Sequence, residues 1–443
     1  MRQAMRDADR AELTLGRAPH AGVRVCVHAL RPARTDVRAM RTATALAQAG
    51  FTVVVVDIEH SGVRPADESL TSGHPEHVAV SRDEDLGGVR FRHIVIARRL
   101  ARYYDPGRLV PWLLFKGLRM LLGLFEVLRT AAEVYHASDM TALPACYIAA
   151  RLRHKQVIFE PYELPLAQPW ITRWRLLHAV SVRIMRNIVP HCAGVIVTSP
   201  SYAGELRRRY GGRTPVVIRN IPEYQAPVTS DRLRRRLGLD SAMRIALYQG
   251  DLQADRGLDV LVYAARFLTP GVVVVMMGGG EDRAVFERLI VQERVSDRVK
   301  IIPPVPYDEL LLWTASADIG LIIFRTEAVS YQLALPNKLF EYVMAGLPVL
   351  ASPLEAVVDL VEGYQVGRAV TSTSPQAVGL AINTMLSDHD ARADMRRNAL
   401  AAAKRDLRWE VESNRLLQLY FDVLGRRGAS SDDARLSAAS RRQ

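Results

Sequence analysis

The sequence predicts an α/β protein with two domains, each built around a parallel β-sheet. Short runs of β-branched residues alternate with helical patterns along the 443-residue chain, as they do in βαβ units. The alternation occurs twice, on either side of a polar, proline-containing stretch that follows Asn220. With 49% hydrophobic residues, the chain can fill more than one core. These observations argue against an all-β fold and against a helical bundle.

The first half begins with one complete crossover unit. Residues 23–30 (VRVCVHAL) have the composition of a buried strand, and residues 36–49 have a helical pattern that ends at Gly50. Residues 51–58 (FTVVVVDI) then form the next predicted strand. Further strands are predicted at 89–96, 134–137, 156–160 and 194–198, with long excursions at 59–88 and 98–129.

The second half repeats the rhythm after a boundary near Ile221. Two Rossmann-like domains facing a central cleft are therefore expected, with ligands at the carboxyl ends of the strands. Its strands are predicted at 244–250, 272–280, 298–302, 317–324 and 348–352, with helices from 256, 282 and 336. The predicted divisions are a disordered extension (1–21), the first domain (22–221), the second domain (222–405), a helix packing back on the first domain (406–425) and a disordered tail (426–443).

Composition and charge restrict the partners. Lys and Arg total 59 against 47 Asp and Glu, a net charge of +12, which favours anionic ligands or surfaces. The basic residues are scattered and no recognition motif accompanies them, so nucleic acid is not expected as a partner. Cys26, Cys146 and Cys192 lack the spacing of a disulfide framework or a zinc site, which is typical of a reducing cytosol. No signal peptide is expected, and charged residues interrupt the most apolar region, so no membrane-spanning segment is expected either.

The segment PNKLFEYVMAGLP (336–348) carries the first candidate site. Pro336 suits the start of a helix, so Asn337 and Lys338 are expected at its positive end, where an anion would stabilise the cation. Glu341 lies one turn further on, where a carboxylate can accept hydrogen bonds from ribose hydroxyls. The alternative for Lys338 and Glu341 is an ordinary surface ion pair between neighbouring turns.

Two glycine-containing turns supply further candidates. In YQGDLQADRG (248–257), Gly250 allows close backbone approach and Arg256 is expected at a helix N-terminus, where it could hold a diphosphate. In MMGGGED (276–282), three glycines close a strand, but the full GxGxxG spacing is lacking. All these turns fall at the carboxyl ends of strands in one domain, so they are expected to converge on one nucleotide diphosphate.

The first domain offers less specific candidates. His136 and Asp139 follow one predicted strand, and Glu163 follows another, so each could face an acceptor or sugar cleft. A lone histidine such as His136 is more often a hydrogen-bonded structural residue. Residues 98–129 combine leucines, aromatics and basic residues, as segments on anionic membranes do, although a helix packed on the domain is the alternative.

Together these residues make the chain similar to the family 4 glycosyltransferases of GT-B fold, especially bacterial members that build surface polysaccharides. The resemblance covers residues 23–424. The turn at 248–250 with RGLDVLVYAA (256–265) resembles the donor-binding loop of the family, and 336–352 resembles its donor-binding helix. Residues 36–57 resemble its opening unit, and SDMTALPA (138–145) resembles its turn in the middle of the first domain.

The resemblance implies catalytic contacts of Arg256 and Lys338 with a donor diphosphate and a contact of Glu341 with the ribose. Gly280 and Glu281 would lie near the nucleotide. The implied donor is a UDP- or GDP-sugar and the acceptor a glycan or lipid-linked saccharide, with retention at the anomeric carbon and no metal or cofactor. From the cysteine pattern and residues 98–129, the expected location is the cytoplasm, including the inner face of the cell membrane.

Two alternatives remain open at the level of sequence. Ser138 and Tyr162 stand where the family commonly has histidines, and Leu333 stands where many members have a glutamate. Leu333 bears on the contacts to the sugar hydroxyls. Ser138 and Tyr162 motivate the first alternative, a non-catalytic protein of the same fold that binds a nucleotide sugar or glycan and assists a partner enzyme. An epimerase of this architecture would share the phosphate contacts but would need acid and base groups near the sugar.

Overall fold

The protein was analysed as a computed structural model that describes residues 22–33, 36–60, 79–96, 100, 109–162, 164–165, 174–324 and 329–440. The chain divides into two compact units. Unit 1 comprises Met1–Val197, Leu206–Val216 and Arg415–Gln443, and unit 2 comprises Thr198–Glu205 and Val217–Asn414. Each unit contains one largely parallel sheet with helices, so the predicted α/β class is confirmed. The N-terminal extension (1–21) and Glu163 lie outside the described residues.

The sheet of unit 1 has eight strands in the order β3-β4-β2-β1-β5-β6-β7-β8. The ladders that join β4, β2, β1, β5, β6 and β7 are parallel, whereas β3 runs antiparallel to β4. Gly87 and Gly88, both at positive φ, form the tight turn between these two strands. The strands are β1 (Arg24–His28), β2 (Thr52–His60), β3 (Ala79–Leu86), β4 (Val89–Ile96), β5 (Val134–Ser138), β6 (Gln156–Glu160), β7 (Gly194–Val197) and β8 (Val216–Val217).

The helices of this half of the chain lie in the connections between strands, and crossovers between parallel strands are almost always right-handed. The chain moves in one direction across the sheet between β1 and β2, and in the opposite direction from β4 through β7. Right-handed connections therefore place α1 on one face of the sheet and α2, α3 and α4 on the other. These helices are α1 (Val37–Gln48), α2 (Leu109–Arg129), α3 (Leu143–Arg153), α4 (Arg175–Ile188) and α5 (Pro200–Tyr210).

The sheet of unit 2 is entirely parallel, in the order β11-β10-β9-β12-β13-β14. Both of its faces are covered, because successive residues of β9 alternate between two hydrophobic clusters. Ile245 and Leu247 pack into the cluster with Tyr342, and Ala246 and Tyr248 pack into the other. The strands are β9 (Arg244–Gln249), β10 (Val272–Met277), β11 (Val299–Ile302), β12 (Ile319–Ile322), β13 (Val349–Ala351) and β14 (Gly367–Ala369).

Short helices follow most strands of unit 2. They are α6 (Arg232–Leu237), α7 (Asp259–Ala264), α8 (Arg283–Gln292), α9 (Leu310–Thr314), α10 (Val329–Leu333), α11 (Asn337–Met344), α12 (Glu355–Gly363), α13 (Pro375–Ser387) and α14 (His389–Arg405). Single 3₁₀ turns occupy Val189–His191, Ala254–Arg256, Ala265–Phe267 and Tyr307–Glu309.

The last helix is longer than the sequence predicts. Helix α15 runs from Trp409 to Ser440, so residues 426–440 continue a helix where disorder is expected from composition. Buried residues such as Leu416 and Tyr420 anchor the preceding turns, and extending an anchored helix avoids the cost of nucleation. Within the described part of the chain, no helix has the length and apolar character needed to cross a membrane.

Candidate functional site

Helix α11 carries the first candidate residues and is held in place by Tyr342. The Tyr342 hydroxyl donates to the carbonyl of Leu247 at 3.0 Å and accepts the backbone N–H of Gln249 at 3.1 Å. Its ring covers Gly320, where an added Cβ would lie 2.5 Å from a ring carbon. Pro336 is the N-cap residue with extended backbone angles, so it lies just before the first helical turn, in which it was predicted. These contacts fix the N-terminus of α11 beside the carboxyl end of β9.

Lys338 is buried in the first turn of α11. Its side chain is 6% exposed, and its Nζ lies 3.7 Å from the ring centroid of Tyr248 and 5.2 Å from that of Phe324. Within the described residues Nζ has no hydrogen-bond partner. Burial, with a further contribution from the charge of Arg256, holds the pKa of Lys338 well below its usual 10.5.

This geometry rules out the alternative of a surface ion pair for Lys338. Instead, a buried ammonium lies at the positive end of a helix with aromatic faces as its main stabilising contacts. An anion placed there would satisfy both the cation and the helix N-terminus.

The loop after β9 approaches Lys338 through glycine. Gly250 has φ of 126°, and a Cβ added there would lie 3.1 Å from Lys338 Nζ. The same loop packs directly on the backbone after β10, because a Cβ on Gly278 would lie 1.9 Å from the Gly250 carbonyl oxygen. A Cβ on Gly280, at φ of 147°, would lie 2.5 Å from the carbonyl oxygen of Leu252. The three-glycine run therefore permits backbone contact between the two loops.

Arg256 lies in a 3₁₀ turn rather than at the start of an α-helix. The turn Ala254–Arg256 ends at Gly257 (φ of 76°), and α7 begins only at Asp259. The predicted helix start at Arg256 is therefore wrong, because a left-handed glycine interrupts the backbone there. Arg256 Nε donates to Gln253 Oε1 at 3.0 Å, and its guanidinium is 3.5 Å from the Asp251 carboxylate. Its charge still acts on Lys338.

The remaining candidates of unit 2 lie on the same edge of the sheet. Glu341 accepts a hydrogen bond from the Gln249 side chain, whose amide oxygen accepts from Thr314 Oγ1 at 2.8 Å. Asn337 Oδ1 accepts from the Asn220 side chain at 3.0 Å. Glu281 follows the glycine run and is exposed. A small cavity beside Glu341 is lined by Pro222, Gln225, Tyr307, Leu310, Leu311, Thr314 and Met344.

In unit 1, the structure does not place His136 at a surface. The ring is fully buried; Nδ1 is 2.7 Å from the Tyr420 hydroxyl and Nε2 is 2.9 Å from Glu160 Oε2. Arg38 donates to the other oxygen of Glu160 at 2.6 Å. Burial alone would raise the pKa of Glu160, but Arg38 and His136 hold it at about 2. The expectation that His136 faces a cleft is therefore wrong, because both ring nitrogens are engaged in this buried chain.

Asp139 is placed differently from His136. It is partly exposed at the carboxyl end of β5, has φ of 101°, and its side chain accepts the backbone N–H of Met140. Such backbone conformations are costly for a non-glycine residue and are common at ligand sites. Nearby, burial raises the pKa of Tyr162 well above its usual 10. Asp139 thus remains a candidate for the acceptor side.

Among the described residues, one group of side chains is close enough to share a metal ion: Asp57, Glu59 and His93. It lies on β2 and β4 of unit 1, not among the candidate residues of unit 2. Asp57 uses one carboxylate oxygen toward His93 Nδ1 at 2.6 Å and the other toward the backbone N–H of Ala33 at 2.7 Å. These bonds give the group a structural role in holding the loop after β1.

Sequence reasoning missed the residues that support Lys338. Tyr248 supplies the aromatic face, and Gln249 holds Glu341 through its side chain. Both belong to the segment YQG, and their positions within two residues of Gly250 were the available signal. Gly278 could have been found from the three-glycine run. These glycines permit close backbone contact between two loops and do not form a dinucleotide fingerprint.

Comparison with protein families matches both halves of the chain. Residues 36–221 match the family described as "Glycosyltransferase Family 4", and residues 229–401 match "Glycosyl transferases group 1". The D-inositol 3-phosphate glycosyltransferase of Xylanimonas cellulosilytica is 29% identical over 257 residues. That alignment covers 55% of this chain and 60% of the relative, so it spans less than two thirds of the curated protein.

Solved structures share the fold at low identity. Sucrose-phosphate synthase from Thermosynechococcus elongatus superposes with a TM-score of 0.70 and 17% identity, covering 91% of this chain and 99% of that structure. The Anabaena protein HepE in complex with UDP-glucose gives a TM-score of 0.64 and 17% identity, covering 89% of this chain and 98% of that structure. At these identities the likeness establishes the fold.

Proposed function

The chain belongs to the family 4 glycosyltransferases of GT-B fold, and we propose that it transfers a sugar from a nucleotide-diphosphate donor to an acceptor hydroxyl. The observation that carries the proposal is the buried Lys338 ammonium, which lacks a hydrogen-bond partner within the described residues and lies at the N-terminus of α11. A diphosphate would supply the missing anion. Arg256, whose charge already acts on Lys338, would supply the second cation.

The two cations also suit the chemistry of transfer. As the bond between the anomeric carbon and the diphosphate oxygen breaks, negative charge grows on the departing phosphate. Cations positioned there stabilise that charge more in the transition state than in the ground state. The acceptor oxygen bonds to the same carbon, and its proton leaves with the released diphosphate. We propose retention of configuration and transfer without a metal ion, with Arg256 and Lys338 in the charge-stabilising role.

The nucleoside half of the donor suits the region around Glu341. Its carboxylate, oriented by Gln249, is placed to accept hydrogen bonds from ribose hydroxyls. The cavity beside it is lined mainly by apolar side chains such as Leu310 and Met344, against which a base could pack. The donor is a UDP- or GDP-sugar, and the UDP-glucose bound to HepE favours UDP.

The acceptor is proposed to be a glycan or a lipid-linked saccharide, reached from the cytoplasmic face of the membrane. Asp139 at the end of β5 is the candidate of unit 1 for this side. The name of the Xylanimonas relative indicates an inositol phosphate acceptor for that protein, which makes D-inositol 3-phosphate the first acceptor to assay here.

The test combines donor binding with turnover. Calorimetry with a panel of UDP- and GDP-sugars is expected to give binding to one base, and an acceptor panel is expected to give release of the nucleoside diphosphate. Arg256→Ala and Lys338→Ala should each abolish transfer, whereas Lys404→Ala, on the exposed surface of α14, should not. Near-normal transfer by both site variants would overturn the proposal. Donor binding without turnover on any acceptor would favour a non-catalytic role.

A further inference from the structure

Helix α2 exposes an apolar stripe that no described residue covers. Val110, Leu114, Leu121 and Phe125 are between 57% and 70% exposed. Their spacing, at i, i+4, i+11 and i+15, places them on one side of the helix. The buried side of α2 carries Trp112 and other residues that pack on the domain.

The neighbouring helices on this face of the sheet continue the pattern. Helix α3 packs against α2 and exposes Ile148 and Leu152, one turn apart. Helix α4 exposes Leu176, Val180 and Ile184, again at intervals of four residues. Since right-handed crossovers place α2, α3 and α4 on the same side of the sheet, their exposed residues are expected to face the same way, and together they are here called the outer helix face.

The exposed charged side chains of the outer helix face are all positive. The acidic residue within α2, α3 and α4 is Glu126, which is buried at 5% exposure. Two basic residues of α2 turn inward: Lys116 lies 4.5 Å from the Trp112 ring centroid, and Arg119 donates to the Leu30 carbonyl. The exposed basic side chains are Arg129, Arg151, Arg153, Arg175, Arg183 and Arg186.

We propose that the outer helix face docks on the surface of an anionic lipid bilayer. Apolar residues at helical spacing, interleaved with exposed arginines and no exposed acid, match both components of such a surface: acyl chains just below the headgroups and negative charge above them. Arg129 shows the arrangement locally, with its guanidinium 5.3 Å from the Phe125 ring centroid.

A second copy of the chain fits this face less well. In a two-fold dimer the outer helix face of one copy would contact the same face of the other. Arginines would then lie opposite arginines, and these helices have no exposed acidic residue to pair with them. An anionic membrane neutralises the same charges. The proposal goes beyond donor chemistry, because every residue in it lies in unit 1 and none belongs to the site around Lys338.

Vesicle sedimentation of the full chain tests the apolar part. Vesicles of phosphatidylcholine with roughly 30 mol% phosphatidylglycerol should sediment the protein, and pure phosphatidylcholine vesicles should sediment much less. The double variant Leu121→Glu with Phe125→Glu should reduce binding at least about tenfold. The matched control, Val291→Glu with Leu380→Glu, alters residues of similar exposure in unit 2 and should bind like the wild type. Equal loss in both double variants would overturn the proposal.

Charge reversal tests the electrostatic part. Arg175→Glu with Arg183→Glu should weaken binding to anionic vesicles by about fivefold or more for each arginine, whereas Arg288→Glu with Arg397→Glu should have little effect. Raising the salt from about 0.1 M to 1 M should weaken wild-type binding. Failure of the wild-type protein to bind anionic vesicles would overturn the proposal. If it also self-associates and the α2 variant is monomeric, the face is a contact between copies. Donor binding, measured separately by calorimetry, is unaffected by either outcome.

Discussion

Replacing Lys338 with methionine is expected to stabilise the unliganded protein while weakening its affinity for the donor. The ammonium is 94% buried, as its 6% exposure shows, and has no hydrogen-bond partner among the described residues. A buried donor left unsatisfied costs about 1–3 kcal/mol, more when charged. The Tyr248 contact offsets about 1–2 kcal/mol of that cost. Methionine has a similar length and no charge, so a net gain of about 1–2 kcal/mol in the free energy of unfolding is expected.

The pH dependence of the same variant gives a second test. The pKa of Lys338 in the folded protein is depressed below its unfolded value near 10.5, so the unfolded state binds more protons between the two values. Wild-type stability should therefore rise with pH across that window and fall as pH drops through the folded pKa. The methionine variant should lack this component.

Thermal unfolding and calorimetry measure both effects. A gain of about 1–2 kcal/mol corresponds to a rise in Tm of about 2–8 °C for a unit of this size. Loss of a charged hydrogen bond to the diphosphate, about 1.5–3 kcal/mol, should weaken UDP binding about 10- to 150-fold. Lys404→Met, at an exposed position of α14, is the matched control and should change neither quantity appreciably. A lower Tm, or UDP affinity within threefold of the wild type, would refute the reasoning.

Two further variants test the glycine contact and the buried chain of unit 1. Gly278→Ala should lower the free energy of unfolding by about 1–3 kcal/mol and weaken UDP binding, because its Cβ would meet the Gly250 carbonyl oxygen at 1.9 Å. The control is Gly363→Ala, where an added Cβ has open space. Unchanged UDP affinity in Gly278→Ala would contradict this expectation. Glu160→Leu should lower the free energy of unfolding, measured in denaturant, by about 3–5 kcal/mol, because it leaves Arg38 buried without its carboxylate. The control Glu287→Leu, at a half-exposed position, should lower it by less than about 1 kcal/mol. In the wild type, the stability that comes from the depressed pKa of Glu160 is present above pH 4.5 and is lost as the pH falls toward about 2. An acid-unfolding curve that is the same in Glu160→Leu and in the wild type would argue against this contribution.

Local signals in the sequence predicted where two helices begin, one in each unit. Asp36 caps α1 by accepting the N–H groups of Arg38 and Ala39, as its place before a helical pattern indicates. Pro336 similarly marks the start of α11. The hairpin of β3 and β4 was not predicted, although Gly87 and Gly88 between alternating residues are a hairpin signal.

Features that depend on distant residues could not be predicted. Whether His136 is exposed or buried is decided by Tyr420, 284 positions away in the chain, and no local pattern reports that contact. The environment of Lys338 is set by Tyr248 in β9 and by Phe324 just after β12, so sequence alone left open an ordinary ion pair with Glu341. The helical pattern predicted where Lys338 lies in the chain, but its burial against aromatic rings depends on tertiary packing.

The hydrogen bond between His136 and Tyr420 has a consequence for synthesis of the protein on the ribosome. Most of unit 1 leaves the ribosome before unit 2 does, yet Tyr420 fills its core from a segment that follows unit 2 in the chain. The sheet of unit 1 can form early, but its buried His136 gains this partner only after unit 2 has been made. Early-emerging domains usually complete folding during translation. Here completion of the first unit is delayed until the second unit has been made, and a nascent chain stopped before Tyr420 would leave that part of its core open.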